Sequence, residues 1–293
     1  MLASGDLAAS LSMTFLPRAR RFDWDNFGVR VASGAVLAGV ALWAVWVFDW
    51  PSPLWRAPFL ILIAVAGALL SIEWAAMVTS RHSARAAVVT TLAVVTVTLV
   101  AYTGRYLEAW GCVALGALAA GAVARGASRR AIDAAYGVLY IAPACLAIVW
   151  LRDTMQGRGW ILMLFATTWA ADIAAFLVGS ALKGPKLWPR FSPNKTWSGF
   201  IGGLAGAMAA SVGVAASIMH LSLVGAAAIG LAGGLATMAG DLWESMLKRR
   251  FGVKDSGDLI PGHGGLLDRV DGLMFAVMVF AIARLVVHFG WAH

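Results

Sequence analysis

The chain has 293 residues, of which 60% are hydrophobic and only 13% charged, with a net charge of +8 at pH 7 and a mean hydropathy of +0.78. Water-soluble domains average about 45–50% apolar and about 25% charged residues, so a soluble fold could not cover this much apolar surface. The same numbers exclude disordered, collagen-like, coiled-coil and small disulfide-rich chains, leaving an all-α, polytopic integral membrane protein.

Residues 1–28 read as a cytoplasmic tail. Asp6 comes early, no long apolar core follows, and Arg18, Arg20 and Arg21 come after the mildly apolar stretch, which makes a poor signal peptide. A hydrocarbon core of about 30 Å takes about 20 helical residues to cross. That ruler predicts nine spans, at 30–48, 57–79, 86–103, 106–124, 132–151, 159–181, 197–219, 221–247 and 272–290. The boundary between the third and fourth rests on Tyr102, Arg105 and Glu108. An N-terminal membrane half of five helices then covers 29–157. A catalytic half of four helices covers 158–293, with cytoplasmic loops at 182–196 and 248–271. No run alternates as an outer-membrane strand would.

The basic residues orient these spans. With loops assigned alternately to two sides, 18 of the 23 Lys and Arg residues fall on the side of the N-terminus. Only Arg56, Arg105, Arg152 and Arg158 fall opposite, and Arg284 lies within the last span. The positive-inside rule makes the first side cytoplasmic and places the C-terminus outside, in an inner membrane. Topology and anionic lipid account for most of this charge. No nucleic-acid-binding module is present. Trp50, Trp55, Trp150, Trp160 and Trp291 flank predicted outer ends, where aromatic belts are expected. Cys112 and Cys145 lie in apolar runs and read as buried thiols. Gly199 with Gly203, Gly202 with Gly206, and Gly230 with Gly234 are each four apart, a spacing that lets helix backbones approach closely.

Two cytoplasmic segments hold the polar chemistry. Loop 182–196 (LKGPKLWPRFSPNKT) carries Lys183, Lys186, Arg190 and Lys195 without an acid, and sets the hydroxyls of Ser192 and Thr196 beside Lys195, a set suited to phosphate oxygens. Residues 241–272 hold Asp241, Glu244, Asp255, Asp258, Asp268 and Asp271. Asp241, Ser245 and Lys248 fall on one helical face, as do Asp268 and Asp271 if the ninth helix begins there. Carboxylates converging from two helix ends suit a hard cation such as magnesium; the bland reading pairs them with Lys248, Arg249 or Arg269. Between them lies PGHGG, 261–265, whose glycines permit a phosphate-binding nest of amides, with His263 a proton donor, a phosphate contact or neither. Asp172, Glu73 and Arg284 are ionisable groups within spans; the first is a functional candidate, and the other two are candidates for a structural pair.

SMLKRRFGVKDSGDLIPGHGGLLDRVD, 245–271, resembles the signature of the phosphatidate cytidylyltransferases, also called CDP-diacylglycerol synthases. The matching residues are Ser245, Lys248, Arg249, Lys254, Asp255, Gly257, Pro261, His263, Gly264, Gly265, Asp268, Arg269 and Asp271. SPNKTWSGFIGG is similar to a second segment of that family, while Ile173 stands where the family often has a hydroxyl residue. The resemblance implies transfer of the cytidylyl group of CTP to phosphatidate, giving CDP-diacylglycerol and pyrophosphate, with CTP, phosphatidate and membrane lipid as partners and magnesium as cofactor. It implies magnesium ligands Asp241, Asp268 and Asp271, with Asp255 additional; catalytic roles for Ser245, Lys248 and His263; and substrate binding by Ser192, Lys195, Thr196, Arg249, Lys254, Gly264, Gly265 and Arg269. A CTP-dependent enzyme of another lipid or isoprenoid phosphate and a transporter are the competing readings, and a homodimer is compatible with the first.

Overall fold

The structure, a computed structural model, describes residues 24–46, 57–78, 83–125, 128–189, 192–219, 221–257, 259–260 and 264–290. Nine helices fall among the described residues: α1 (Trp24–Trp46), α2 (Ala57–Val78), α3 (Ser83–Tyr102), α4 (Tyr106–Val123), α5 (Ser128–Asp153), α6 (Gly157–Leu182), α7 (Trp197–Ile218), α8 (Leu223–Phe251) and α9 (Leu267–Gly290). Each predicted span corresponds to one of them. Eight, α2 to α9, are long and apolar enough to cross a membrane; the apolar part of α1, Val31–Trp46, is shorter. The predicted tail lies almost wholly outside the described residues, with α1 beginning at Trp24. One element is absent from the sequence reading. The loop between α6 and α7 folds into an antiparallel hairpin, β1 (Lys186–Trp188) with β2 (Ser192–Thr196), which pairs Lys186 with Thr196 and Trp188 with Ser192.

Local chemistry sets the helix ends. The Thr196 hydroxyl accepts from Gly199 N at 3.1 Å and caps α7; Ser222 caps α8 in the same way, accepting from Gly225 N at 3.1 Å. Gly252, at φ 75°, ends α8, and its N–H bonds back to the Arg249 carbonyl at 3.2 Å. Lys248, Arg249 and Arg250 occupy the last turn, where cations are favoured. Between α3 and α4, Arg105 forms an ion pair with Glu108 in the first turn of α4.

α2 to α5 pack on one another, α6 to α9 do likewise, and α5 against α9 joins the two groups. Small residues set the closest approaches in the second group. A Cβ on Gly203 would sit 2.8 Å from the Ala171 carbonyl of α6, and one on Gly230 2.8 Å from the Ala207 carbonyl of α7. α8 and α9 come closest at Gly240 and Gly272, where a Cβ on the first would lie 3.0 Å from the Cα of the second. The spaced glycines therefore serve packing, as their separation predicts.

Cys145 is buried; Cys112 is only half-buried, and both are free thiols. Trp160, expected in an interfacial belt, is buried instead, meeting Phe280 edge-on with ring centroids 6.5 Å apart. The guanidinium of Arg284 lies 5.9 Å from the Trp160 ring centre, so Arg284 answers the ring quadrupole rather than Glu73. Glu73 lies at the N-terminus of α9, where its two carboxylate oxygens accept from Leu266 N at 2.8 Å and Leu267 N at 2.7 Å. The expected Glu73–Arg284 pair is therefore corrected. Glu73 is met by backbone N–H groups and Arg284 by the Trp160 ring, although the Arg284 Nε is buried without a hydrogen-bond partner among the described residues.

Candidate active site

A cavity of about 1140 Å³ lies where α6 and α8 end and α7 and α9 begin. α6 contributes Asp172, Phe176 and Ser180; the hairpin contributes Lys186, Leu187, Asn194 and Lys195. Thr196 and Gly199 come from the start of α7. α8 supplies Asp241, Glu244 and Lys248, and the first turns of α9 supply Asp268, Arg269 and Asp271. Polar and charged groups come from every one of these elements, and Phe176, Phe200 and Leu187 add apolar surface to the lining. Phe176 is itself 73% exposed, so this apolar surface reaches the outside of α6.

Ion pairs knit the polar wall across sequence. Lys195 on the hairpin pairs with Asp241 on α8. Lys248 Nζ stands 2.6 Å from Asp268 Oδ1 and 3.3 Å from Glu244 Oε2. Asp268 Oδ2 accepts from Ser256 N at 3.1 Å and Gly265 N at 3.2 Å, so one carboxylate holds both the lysine and the signature loop. Glu244 is buried, and its Oε1 receives no donor. Asp271, in the first turns of α9, lines the same cavity, and its Oδ1 accepts from Gly272 N at 2.7 Å. Asp172, on α6, is within electrostatic reach of Asp241, Asp271, Lys195 and Arg269.

Of the residues singled out from the sequence, Asp241, Lys248, Asp268, Asp271, Lys195, Thr196 and Arg269 line this cavity. Ser245 does not. The α8 face turned to the cavity runs through Asp241, Glu244 and Lys248, and Ser245 lies off it. Arg249, Lys254 and Asp255 are exposed and lie outside the lining, as does Ser192 in the hairpin. Gly264 and Gly265 also lie outside it, and the expected amide nest is otherwise engaged: Gly264 N donates to the Ile260 carbonyl at 3.1 Å, and Gly265 N to Asp268. His263, with Pro261 and Gly262, lies outside the described residues. Glu244 was legible only as one acid among six. Its spacing of three from Asp241 was the signal that both belong to one face.

Among the described residues, no three His, Cys, Asp or Glu side chains form a ready-made metal cage. Magnesium does not require one, because it is usually held by one or two carboxylates together with water and substrate phosphates. Asp241, Glu244 and Asp271 all line the cavity, and the buried Glu244 Oε1 receives no donor, so the lining offers carboxylate oxygens of the kind such an ion takes.

The model of the cytidylyltransferase family matches residues 28–287. A protein named phosphatidate cytidylyltransferase from Brucella suis is 38% identical over 259 residues, covering 86% of this chain and 91% of its own. A Pseudomonas aeruginosa protein of the same name is 40% identical over 151 residues, 50% of this chain and 54% of its own. One from Staphylococcus saprophyticus is 38% identical over 157 residues, 52% of this chain and 59% of its own.

Proposed function

The chain belongs to the cytidylyltransferase family, and we propose that it transfers the cytidylyl group of CTP to phosphatidate, forming CDP-diacylglycerol and releasing pyrophosphate. One observation carries this reading. The hairpin segment and the 241–271 segment, separate in sequence, meet around one cavity lined first by cationic and carboxylate groups and second by apolar side chains. A nucleotide triphosphate suits the first surface, and the glycerolipid suits the second.

In this reaction a phosphate oxygen of phosphatidate attacks the α-phosphorus of CTP, and pyrophosphate departs. The nucleophile is already an anion, so no strong general base is needed. The difficulty is bringing two anions together in line, and the chain answers it with fixed charge. Lys183, Lys186, Lys195 and Arg269 line the cavity and offset phosphate charge. Lys248 holds Asp268 oriented through the 2.6 Å contact. Asp271, Glu244 and Asp241 would hold magnesium, which supplies electrophilic assistance to the phosphoryl groups. Lys195 and Lys248, now paired with acids, would be shared with substrate phosphate. Asp172, on α6, lines the same cavity.

The sidedness of the basic residues supports an inner-membrane protein with this cavity facing the cytoplasm, where CTP resides. The experiment uses detergent-purified protein with labelled CTP, phosphatidate and magnesium. Label in the lipid phase together with equimolar pyrophosphate is the expected result, and solute flux or nucleotide hydrolysis without lipid labelling overturns the reading.

A further inference from the structure

Glu73 is the only charged residue of α2, a helix of the N-terminal group that contributes nothing to the cavity wall. It is 3% exposed, and among the described residues no Lys or Arg forms an ion pair with it. What it meets is the N-terminus of α9. Oε1 accepts from Leu266 N at 2.8 Å, Oε2 accepts from Leu267 N at 2.7 Å, and the Ser256 hydroxyl stands 3.5 Å from Oε2.

The chemistry explains why a lone buried carboxylate is tolerated there. The first N–H groups of a helix have no intrahelical partner, and they carry the positive end of its dipole. A nearby Ser, Thr, Asp or Asn ordinarily answers them, but the residue before Leu267 is Leu266, which has no acceptor to offer. The cap therefore arrives from another helix, 194 residues back in the chain. Gly257 leaves room for it, since a Cβ at that position would lie 3.0 Å from Glu73 Oε1.

The residue after Leu267 is Asp268, which grips the same loop from its other side through Ser256 N and Gly265 N. Two carboxylates thus hold Ser256 and the 265–267 stretch, Asp268 from the cavity lining and Glu73 from outside it. We propose that Glu73 is a positioning residue of this site: by fixing where α9 starts and how it is rotated, it directs Asp268, Arg269 and Asp271 into the cavity. The N-terminal group of helices thereby takes part in transfer without touching substrate.

The activity arm of the test rests on the cytidylyltransferase reading; the structural arm does not. Full-length protein in lipid nanodiscs is compared with Glu73→Gln, which replaces one acceptor oxygen by a donor facing an N–H, and with Glu73→Asp, which keeps the carboxylate one methylene shorter. Because Lys183, Lys186 and Lys195 are untouched and Arg269 alone of the lining cations offsetting phosphate charge is carried by α9, we expect Glu73→Gln to lower kcat about tenfold or more through misplacement of the α9 acids, with the KM for CTP changing by less than about threefold. Glu73→Asp is expected to recover part of that loss. Amide exchange is expected to accelerate over 256–270 and to stay unchanged in α6 and α7. Gly257→Ala, which crowds Glu73 without removing a charge, is expected to act in the same direction more weakly, and it decides the matter should Glu73→Gln not be recovered folded. Unaltered kcat with unaltered exchange overturns the proposal, as does exchange raised uniformly through all helices. An inactive parent protein overturns the functional reading, while the exchange comparison still decides the role of Glu73.

Discussion

Lys248 Nζ lies 2.6 Å from Asp268 Oδ1, joining the last turns of α8 to the first turn of α9 at the cavity wall. With side-chain exposures of 15% and 9%, the pair is shielded enough that its partners depend on each other. Removing one member of a buried pair leaves an uncompensated charge, at a cost of about 3 kcal/mol or more. Lys248→Ala is therefore expected to lower the melting temperature in detergent and to abolish turnover. Asp268→Asn is expected to abolish turnover while leaving membrane integration intact, and near-normal turnover would remove Asp268 from the site. The outward neighbour makes a contrast. Arg250, 58% exposed in its pair with Asp133, should lose less than about 1 kcal/mol as Arg250→Ala.

Glu244 and Asp271, which share the cavity lining, make a separate prediction. With a divalent ion held by these acids during turnover, Asp271→Asn should raise the magnesium concentration needed for half-maximal rate by about tenfold or more, since loss of even an outer-shell partner costs about that much. Glu244→Gln should act similarly. Titrating magnesium in the transfer assay checks both, and unchanged magnesium dependence in the two variants would remove both acids from the ion's ligands.

At the α8–α9 crossing, Gly272 packs so closely that a Cβ would lie 2.9 Å from the Thr237 carbonyl. Gly272→Val should force the helices apart at the level of Asp271, destabilising by about 1–3 kcal/mol as overpacking does. Thermal unfolding in detergent measures the stability term. The rate should fall further than stability alone explains, because Asp241 and Asp271 move relative to each other.

Thr196 serves both as cap and as cavity wall. Thr196→Ala should cost about 1 kcal/mol of stability through the lost bond to Gly199 N, whereas Thr196→Ser should preserve it. Comparing melting temperatures of the two variants tests the capping role, and any loss of turnover in Thr196→Ser would point to a steric requirement at the wall.

The sidedness proposal is tested by reporter fusions. A reporter active only outside the cytoplasm should work when joined after α9 and fail when placed between α6 and α7. The reverse pattern would put the cavity on the wrong side of the membrane for CTP.

Composition and apolar run length by themselves determined an all-helical membrane chain and the position of each described helix, because a bilayer accepts only segments that satisfy their own backbone. Residue type and spacing also marked Asp241, Lys248, Asp268, Asp271 and Lys195 as chemistry-bearing, since charges at the edge of a span need partners or ligands. Only the tertiary structure decided which of the charged residues share one space. Glu244 rather than Ser245 faces the cavity, Arg249 and Asp255 face away, and the 186–196 segment closes as a hairpin. Glu73 was legible as a costly buried acid, but its partners are backbone N–H groups nearly two hundred residues distant. Backbone donors carry no sequence signature, so a cap supplied across the fold is invisible until the helices are packed.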